Sequence, residues 1–274
     1  AVDTLRGMVR AEEFGEIEPW DFFYSEKVSI SNSELKELEF PTNKFYLKRT
    51  KRKDLMFFIG EEQPAEGGRA YAEGTKAYQM ANLVLDVALK FGCRRVYTSG
   101  AAVAPIHHTA RPKVWAVPNS EDLVSEVRSY QNTILMSDIE GRGGQGNITG
   151  LNGLLLGVAK KRGLEAICIM GEIPIYLQGF PLPYPKASKS VLEVLTAALG
   201  IRIEMQGIAA FVERSEREIE RLYERFPSEI RELLDKLRYV AYARPTEPGP
   251  ITEEDKKRIL EDIDKFFKKE PKED

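Results

Sequence analysis

Short apolar runs alternate with amphipathic helical stripes from the start of the chain to about residue 205, and this alternation leaves few architectures open. Residues 54–60, Asp-Leu-Met-Phe-Phe-Ile-Gly, set five consecutive large apolar side chains before a glycine. Residues 164–171 are apolar in the same manner. A strand without polar alternation has both faces buried, which in α/β proteins means a sheet covered by helices on each side. Between the runs, Tyr71, Gly74, Tyr78, Ala81, Leu85 and Ala88 recur at helical spacing. Residues 67–91 are therefore expected to form a core helix on that face, closed by Gly92. Further helices are expected over 1–10, 121–130, 151–161 and 186–199, and strands over 40–48, 94–99, 113–117 and 132–137. The pattern predicts a three-layer α/β domain with a largely parallel sheet, spanning residues 1–210.

Beyond residue 211 the pattern becomes wholly helical. Ile219, Leu222, Tyr223 and Phe226 form one apolar stripe, and Ile230, Leu233, Leu234, Leu237 and Val240 form a second after the break at Pro227. Residues 211–244 are expected as a helical extension. Pro245, Pro248 and Pro250 make a linker that cannot be helical, and a last helix follows with Ile259, Ile263, Phe266 and Phe267 on one side. Residues 245–274 are thus read as a proline-rich linker and C-terminal helix. These stripes form a C-terminal helical appendage whose apolar faces need a partner surface, and a symmetric homo-oligomer is the expected source of it.

Lys and Arg total 40 against 43 Asp and Glu, a net charge of −3, so a protein living by phosphate contacts to nucleic acid is not expected. No apolar run is long enough to cross a bilayer and the start shows no signal-peptide pattern, so no membrane association is expected and the location is read as cytoplasmic. Cys93 and Cys168 sit in apolar segments and read as buried reduced thiols.

One segment could hold a ligand. Residues 140–153 are rich in glycine, follow an expected strand and open an expected helix, where freed backbone amides suit an anion or a carbonyl. It is not a Walker loop, and Gly144 and Gly146 are followed by Gly150 one residue late for a dinucleotide fingerprint. A tight strand-to-helix turn explains the glycines without any ligand. The crevice residues, if it binds, are Glu140, Arg142, Gly144, Gly146, Asn147 and Asn152, with Glu172 after the strand at 164–171 and the adjacent His107 and His108. Neighbouring histidines in a strand-end loop are expected to point apart, and no Cys or His stands at ligand spacing, so no metal is assigned. No nucleophile elbow surrounds Ser99, and no catalytic residue or cofactor is assigned. The basic cluster at 48–53 lies between two strands and reads as a solvated hairpin turn.

Five segments in order, DLMFFIGEEQP at 54–64, VYTSGAA at 96–102, GGQGNITGLNGLLLGVAKKRGL at 143–164, ICIMGEIP at 167–174 and PYPKASKSVLEVLTAALGI at 183–201, resemble the proteasome assembly chaperone homologues of archaea and many bacteria. The resemblance covers most of residues 1–226. It implies a phosphorylase/hydrolase-like α/β fold, no catalytic machinery, self-association, and protein partners such as the proteasome or other assemblies. Proteasome activators of this kind end in a hydrophobic–tyrosine–any motif, whereas these residues end Lys269-Glu270-Pro271-Lys272-Glu273-Asp274. Relatives also carry an apolar strand and glycine-rich turn before the helix that 1–10 resembles, so the sequence is expected to begin one strand late. The function implied is a homo-oligomeric, chaperone-like binding scaffold. The rival is an enzyme of the same fold acting on a small anionic or nucleoside-like ligand.

Overall fold

The computed structural model of the chain describes residues 1–25, 27–65, 72–135, 138 and 146–239. Two compact units divide it. The first comprises Ala1–Thr98, Pro118–Leu123 and Asn147–Cys168, and the second comprises the remainder.

In the first unit, helix α1 (Val2–Val9) buries Leu5 and stops at Arg10, whose left-handed φ of 53° ends the helical hydrogen bonding. Strand β1 (Glu12–Glu16) follows, then a hairpin of β2 (Lys27–Ser31) and β3 (Glu34–Glu39), then β4 (Asn43–Lys48) and β5 (Leu55–Gly60). β1, β4 and β5 form one antiparallel sheet in that order, and β2 pairs with β3 in a separate one. The basic cluster is indeed the β4–β5 turn. The Thr50 hydroxyl donates to the Lys53 carbonyl at 2.6 Å, and the Asp54 carboxylate accepts the Thr50 N–H at 3.2 Å. Strand β5 departs from expectation. Leu55 and Phe57 are buried, but Met56 and Phe58 are only half-buried, because an antiparallel sheet need not be covered on both faces.

Helix α2 (Gly74–Lys90) begins at Gly74 with φ of 81°, a conformation that suits glycine. Its buried face is Ala77, Met80, Ala81, Val84, Leu85 and Ala88, while Tyr78 is exposed, so the stripe is rotated from the expected one. Tyr71 lies outside the described residues. α2 packs on a helix entered at Gly150, and Arg162 just past its end donates to the Asn82 carbonyl at 3.2 Å and pairs with Asp86.

The second unit holds the paired ends of β6 (Arg95–Ala104) and β9 (Glu165–Pro174), with β7 (Val114–Pro118) and β8 (Thr133–Leu135), in the order β6-β9-β7-β8. β7 and β8 are parallel. β9 and β7 are antiparallel, since the Asn119 N–H donates to the Ala166 carbonyl while, at the other end, Glu172 N–H donates to the Lys113 carbonyl. β9 is buried on both faces, as an apolar run predicts. A mixed α/β fold is what forms. The largely parallel sheet does not, because short turns such as 49–54 return the chain antiparallel where a crossover helix would be needed for parallel pairing.

Seven α-helices are described, α3 (Asp122–Ser129), α4 (Gly150–Lys161), α5 (Pro185–Leu199), α6 (Gln206–Glu224) and α7 (Ser228–Lys236) completing the set. Among the described residues no helix is long and apolar enough to cross a membrane. α5 packs on α6. Ile219, Tyr223 and Phe226 of the α6 stripe, with Leu234 and Leu237, are buried against Tyr176 and Leu177. Leu222, Ile230 and Leu233 pack at the edge of the same cluster. The proline- and aromatic-rich segment after β9 thus supplies the partner surface these stripes need. Burying five such side chains contributes roughly 1.5–3 kcal/mol each, before ordering costs. Val240 and the last stripe, Ile259, Ile263, Phe266 and Phe267, lie outside the described residues.

Candidate functional site

The polar groups most worth examining in the second unit converge on the loop after β6. His107 and His108 are both buried, and their rings lie 4.1 Å apart between centroids at 35°, so the neighbours stack instead of diverging. The loop is irregular after Ala104, and without the two-residue alternation of a strand nothing forces adjacent side chains to opposite sides.

His108 sits between two partners. Its Nε2 is 2.8 Å from a Glu220 carboxylate oxygen on α6, and its Nδ1 is 2.6 Å from the Tyr176 hydroxyl. A carboxylate accepts, so Nε2 carries the proton and Tyr176 donates to Nδ1. The same Tyr176 oxygen accepts the His108 backbone N–H at 2.7 Å. Burial pushes the Tyr176 phenol far above its ordinary range. Burial also lowers His108, against the opposing pull of Glu220.

Next to it, His107 Nδ1 accepts the Thr109 N–H at 3.3 Å and lies 2.8 Å from the Thr109 hydroxyl. Nε2 therefore carries the proton of the neutral ring. That nitrogen is buried without a hydrogen-bond partner, the Asp235 carboxylate being 3.7 Å away. Burial, then the charge of His108 and of Arg238, holds His107 down at about 3. Asp235 is engaged elsewhere, accepting from Tyr223 at 2.8 Å and from Arg238 at 2.7 Å. Partial burial would raise its carboxyl, but those two donors and the guanidinium charge outweigh it and keep Asp235 below the ordinary range. Lys186 at the start of α5 completes the shell. It donates to the carbonyls of His108 and Thr109 at 3.0 and 3.1 Å and pairs with Glu216 at 2.6 Å.

Glutamate, histidine and tyrosine in a hydrogen-bonded row are the residue types of a proton relay. Here each inner atom is satisfied by the fold itself, and no Ser, Thr or Cys nucleophile ends the row. What the arrangement does chemically is clamp the β6–β7 loop to α5, α6 and α7 through neutral imidazoles.

Glu172 is used in the same way. It is buried at the end of β9, accepting the Trp115 indole N–H at 2.7 Å and the Lys113 N–H at 2.7 Å. Burial raises its carboxyl above the usual value, against those donors. In the first unit, the amide end of α4 is also occupied. The Gln63 side-chain oxygen accepts the Leu151 N–H at 2.8 Å and the Ala72 N–H at 3.4 Å. Gly150 takes a φ of 76°, and a Cβ there would lie 2.6 Å from that oxygen. Of the glycine-segment residues, Gly146 and Asn147 are exposed and Asn152 is half-buried, whereas Glu140, Arg142 and Gly144 lie outside the described residues.

Sequence reasoning missed Tyr176, Lys186, Glu220, Asp235, Arg238 and Gln63. Glu220 and Asp235 stand in helices dense with acidic residues, where one that meets a histidine looks like any other. Gln63, next to Pro64 in the fourth expected motif stretch, carries no chemical signal of its own. Cys168 is buried and Cys93 half-buried, both free thiols with burial raising them above the ordinary range.

The comparisons with known proteins agree with one another. The chain is 30% identical over 146 residues to protein MJ1210 of Methanocaldococcus jannaschii, a match covering 53% of this chain and 51% of that one. It thus spans about half the length of that relative. The fold matches the crystal structure of PbaB, an archaeal proteasome activator from Pyrococcus furiosus, with a TM-score of 0.64 and 28% identity, covering 81% of this chain and 86% of PbaB. It also matches Rv2125, a proteasome-assembly chaperone homologue of Mycobacterium tuberculosis, with a TM-score of 0.62 and 19% identity, covering 80% of this chain and 86% of the other. The PAC2 family profile matches residues 1–223, which include the β-strands, the histidine clamp from His107 to Glu220 and the capped turn at Gly150, and the chain belongs to the PAC2 family.

Proposed function

We propose that the chain is a homo-oligomeric, chaperone-like protein-binding scaffold related to the proteasome assembly chaperones and activators, acting in the cytoplasm on the proteasome or a comparable assembly. The observation that carries this reading is the similarity to PbaB, an archaeal proteasome activator, at 28% identity across 81% of the chain. The internal geometry supports it: the groups that would do chemistry are hydrogen-bonded to the chain's own loops. The enzyme reading is disfavoured on the same ground, since Gln63 occupies the α4 amides that an anion would use. The proposal includes the finer fold assignment, a phosphorylase/hydrolase-like domain over residues 1–210. It also includes a division of labour in which 211–244 braces that domain while 245–274, a proline-rich linker and amphipathic helix, reaches outward as an interaction arm.

The test pairs two measurements on the full chain: sedimentation at micromolar concentration, and co-sedimentation with purified archaeal proteasome core particles while peptide hydrolysis is followed. An oligomer that travels with the core particle is the expected result. A monomer that neither binds the particle nor changes its hydrolysis overturns the reading.

A further inference from the structure

Between Trp20 and Phe40 the first unit exposes more large apolar surface than a free surface segment needs. β2 and β3 pair with each other as a two-stranded sheet, with Val28 opposite Leu38 and Ile30 opposite Leu35. In an unbroken strand Leu35 and Leu38, three residues apart, would face opposite sides. The register shifts between Ser29 and Ile30, and this extra residue on β3 returns both leucines to the side of Val28 and Ile30. The result is one face of four aliphatic side chains, 48%, 70%, 69% and 42% exposed for Val28, Ile30, Leu35 and Leu38. Ser31 and Glu34 pair on the opposite face. Close by in sequence, Tyr24 is 94% exposed, and Trp20, 64% exposed, stacks edge-on against Phe40 at 4.7 Å.

A lone two-stranded hairpin is marginally stable in water and needs something packed on its apolar face. We propose that the occupant is a second copy of this chain, its β2–β3 hairpin stacked face to face on the first across a two-fold axis. The reading rests on the homo-oligomer proposed above and names its contact. Three features select a second copy. The face carries no charge and no unpaired donor, so its complement is another apolar face of the same dimensions, which an isologous pair supplies by construction. Two sheets stacked about 10 Å apart interdigitate their inner side chains, and the serine and glutamate sides then face water. The area also suffices. Aromatic side chains bury about 150–250 Å² each, so Trp20 and Tyr24 beside four aliphatics approach the roughly 800 Å² per partner of a standard interface. Acidic residues on β3, among them Glu34 and Glu39, oppose edge-to-edge growth, so the contact closes as a pair.

The experiment compares the full chain with the double variant Ile30→Glu/Leu35→Glu, and with Ser31→Glu on the opposite face, by sedimentation across a concentration series. Amide exchange of residues 27–39 is read at the same concentrations. The double variant is expected to weaken self-association at least a hundredfold while circular dichroism stays unchanged, and Ser31→Glu to leave association intact. Hairpin amides of the unaltered chain are expected to gain protection as the oligomer forms. As a second route, Ile30→Cys should give a disulfide-linked dimer on mild oxidation, which the unaltered chain does not. An oligomer that survives the double variant, with hairpin protection independent of concentration, overturns the hairpin contact and leaves the scaffold reading standing. A chain that is monomeric before any substitution overturns both.

Discussion

Acidification should weaken this fold through His107 before ordinary carboxylate protonation contributes much. The buried imidazole is held near 3, against 6.5 for an unhindered histidine. A group whose folded value is depressed takes up its proton more readily in the unfolded chain, so stability is full above 6.5 and falls as pH drops toward 3. At pH 5 the difference is about 1.5 pH units at 1.36 kcal/mol each, a loss of about 2 kcal/mol. At pH 7.5 the same group contributes almost nothing. Glu172 acts in the opposite sense, because its raised carboxyl stays protonated in the fold while the unfolded one ionises, so stability falls as pH rises above its ordinary 4.5. His107→Gln separates the two, since Gln can still accept the Thr109 N–H but does not titrate and Glu172 is common to both proteins. Urea unfolding at pH 7.5 and 5.0 would be measured for each. The unaltered chain should lose about 2 kcal/mol more than the variant between the two pH values. Equal losses, within about 0.5 kcal/mol, would refute the argument that His107 is buried neutral.

Tyr176→Phe strips two buried His108 groups of their partner, and should cost about 2–5 kcal/mol, read as a lowered urea midpoint at unchanged secondary structure. Leu234→Ala empties the centre of the α6–α7 cluster and should cost about 2–5 kcal/mol by the same measurement, with detachment of α7 seen as faster amide exchange over 228–236. Gly153→Ala places a Cβ against the Ile148 backbone, 2.9 Å from its carbonyl carbon, and should lower stability by about 1–3 kcal/mol or more; a melting temperature equal to that of the unaltered chain would show that the α4 entry has slack.

The elements with strong local signals were legible in the sequence. α2, α4, α5 and β9 follow from apolar periodicity because burial of a face requires it whatever the partner is, and the 49–54 turn follows from its run of polar residues. The family resemblance in the five quoted segments was legible as well, and the match over residues 1–223 bears it out. Pairing direction was not, since strand periodicity is the same in both directions and only the connections decide it. β2 and β3 were invisible for a related reason: the extra residue at the bulge breaks the two-residue alternation in Leu35 and Leu38 that marks a strand. The histidines show the limit most plainly. Their adjacency was written in the sequence, but their stacking, their neutral state and their bonds to Tyr176 and Glu220 depend on residues 68 and 112 positions away. Local chain stiffness and side-chain periodicity are properties of neighbouring residues and can be read in order. Burial, which sets both the imidazole charge and the cost of an unmet hydrogen bond, belongs to the packed fold and exists only once distant segments have closed around the site.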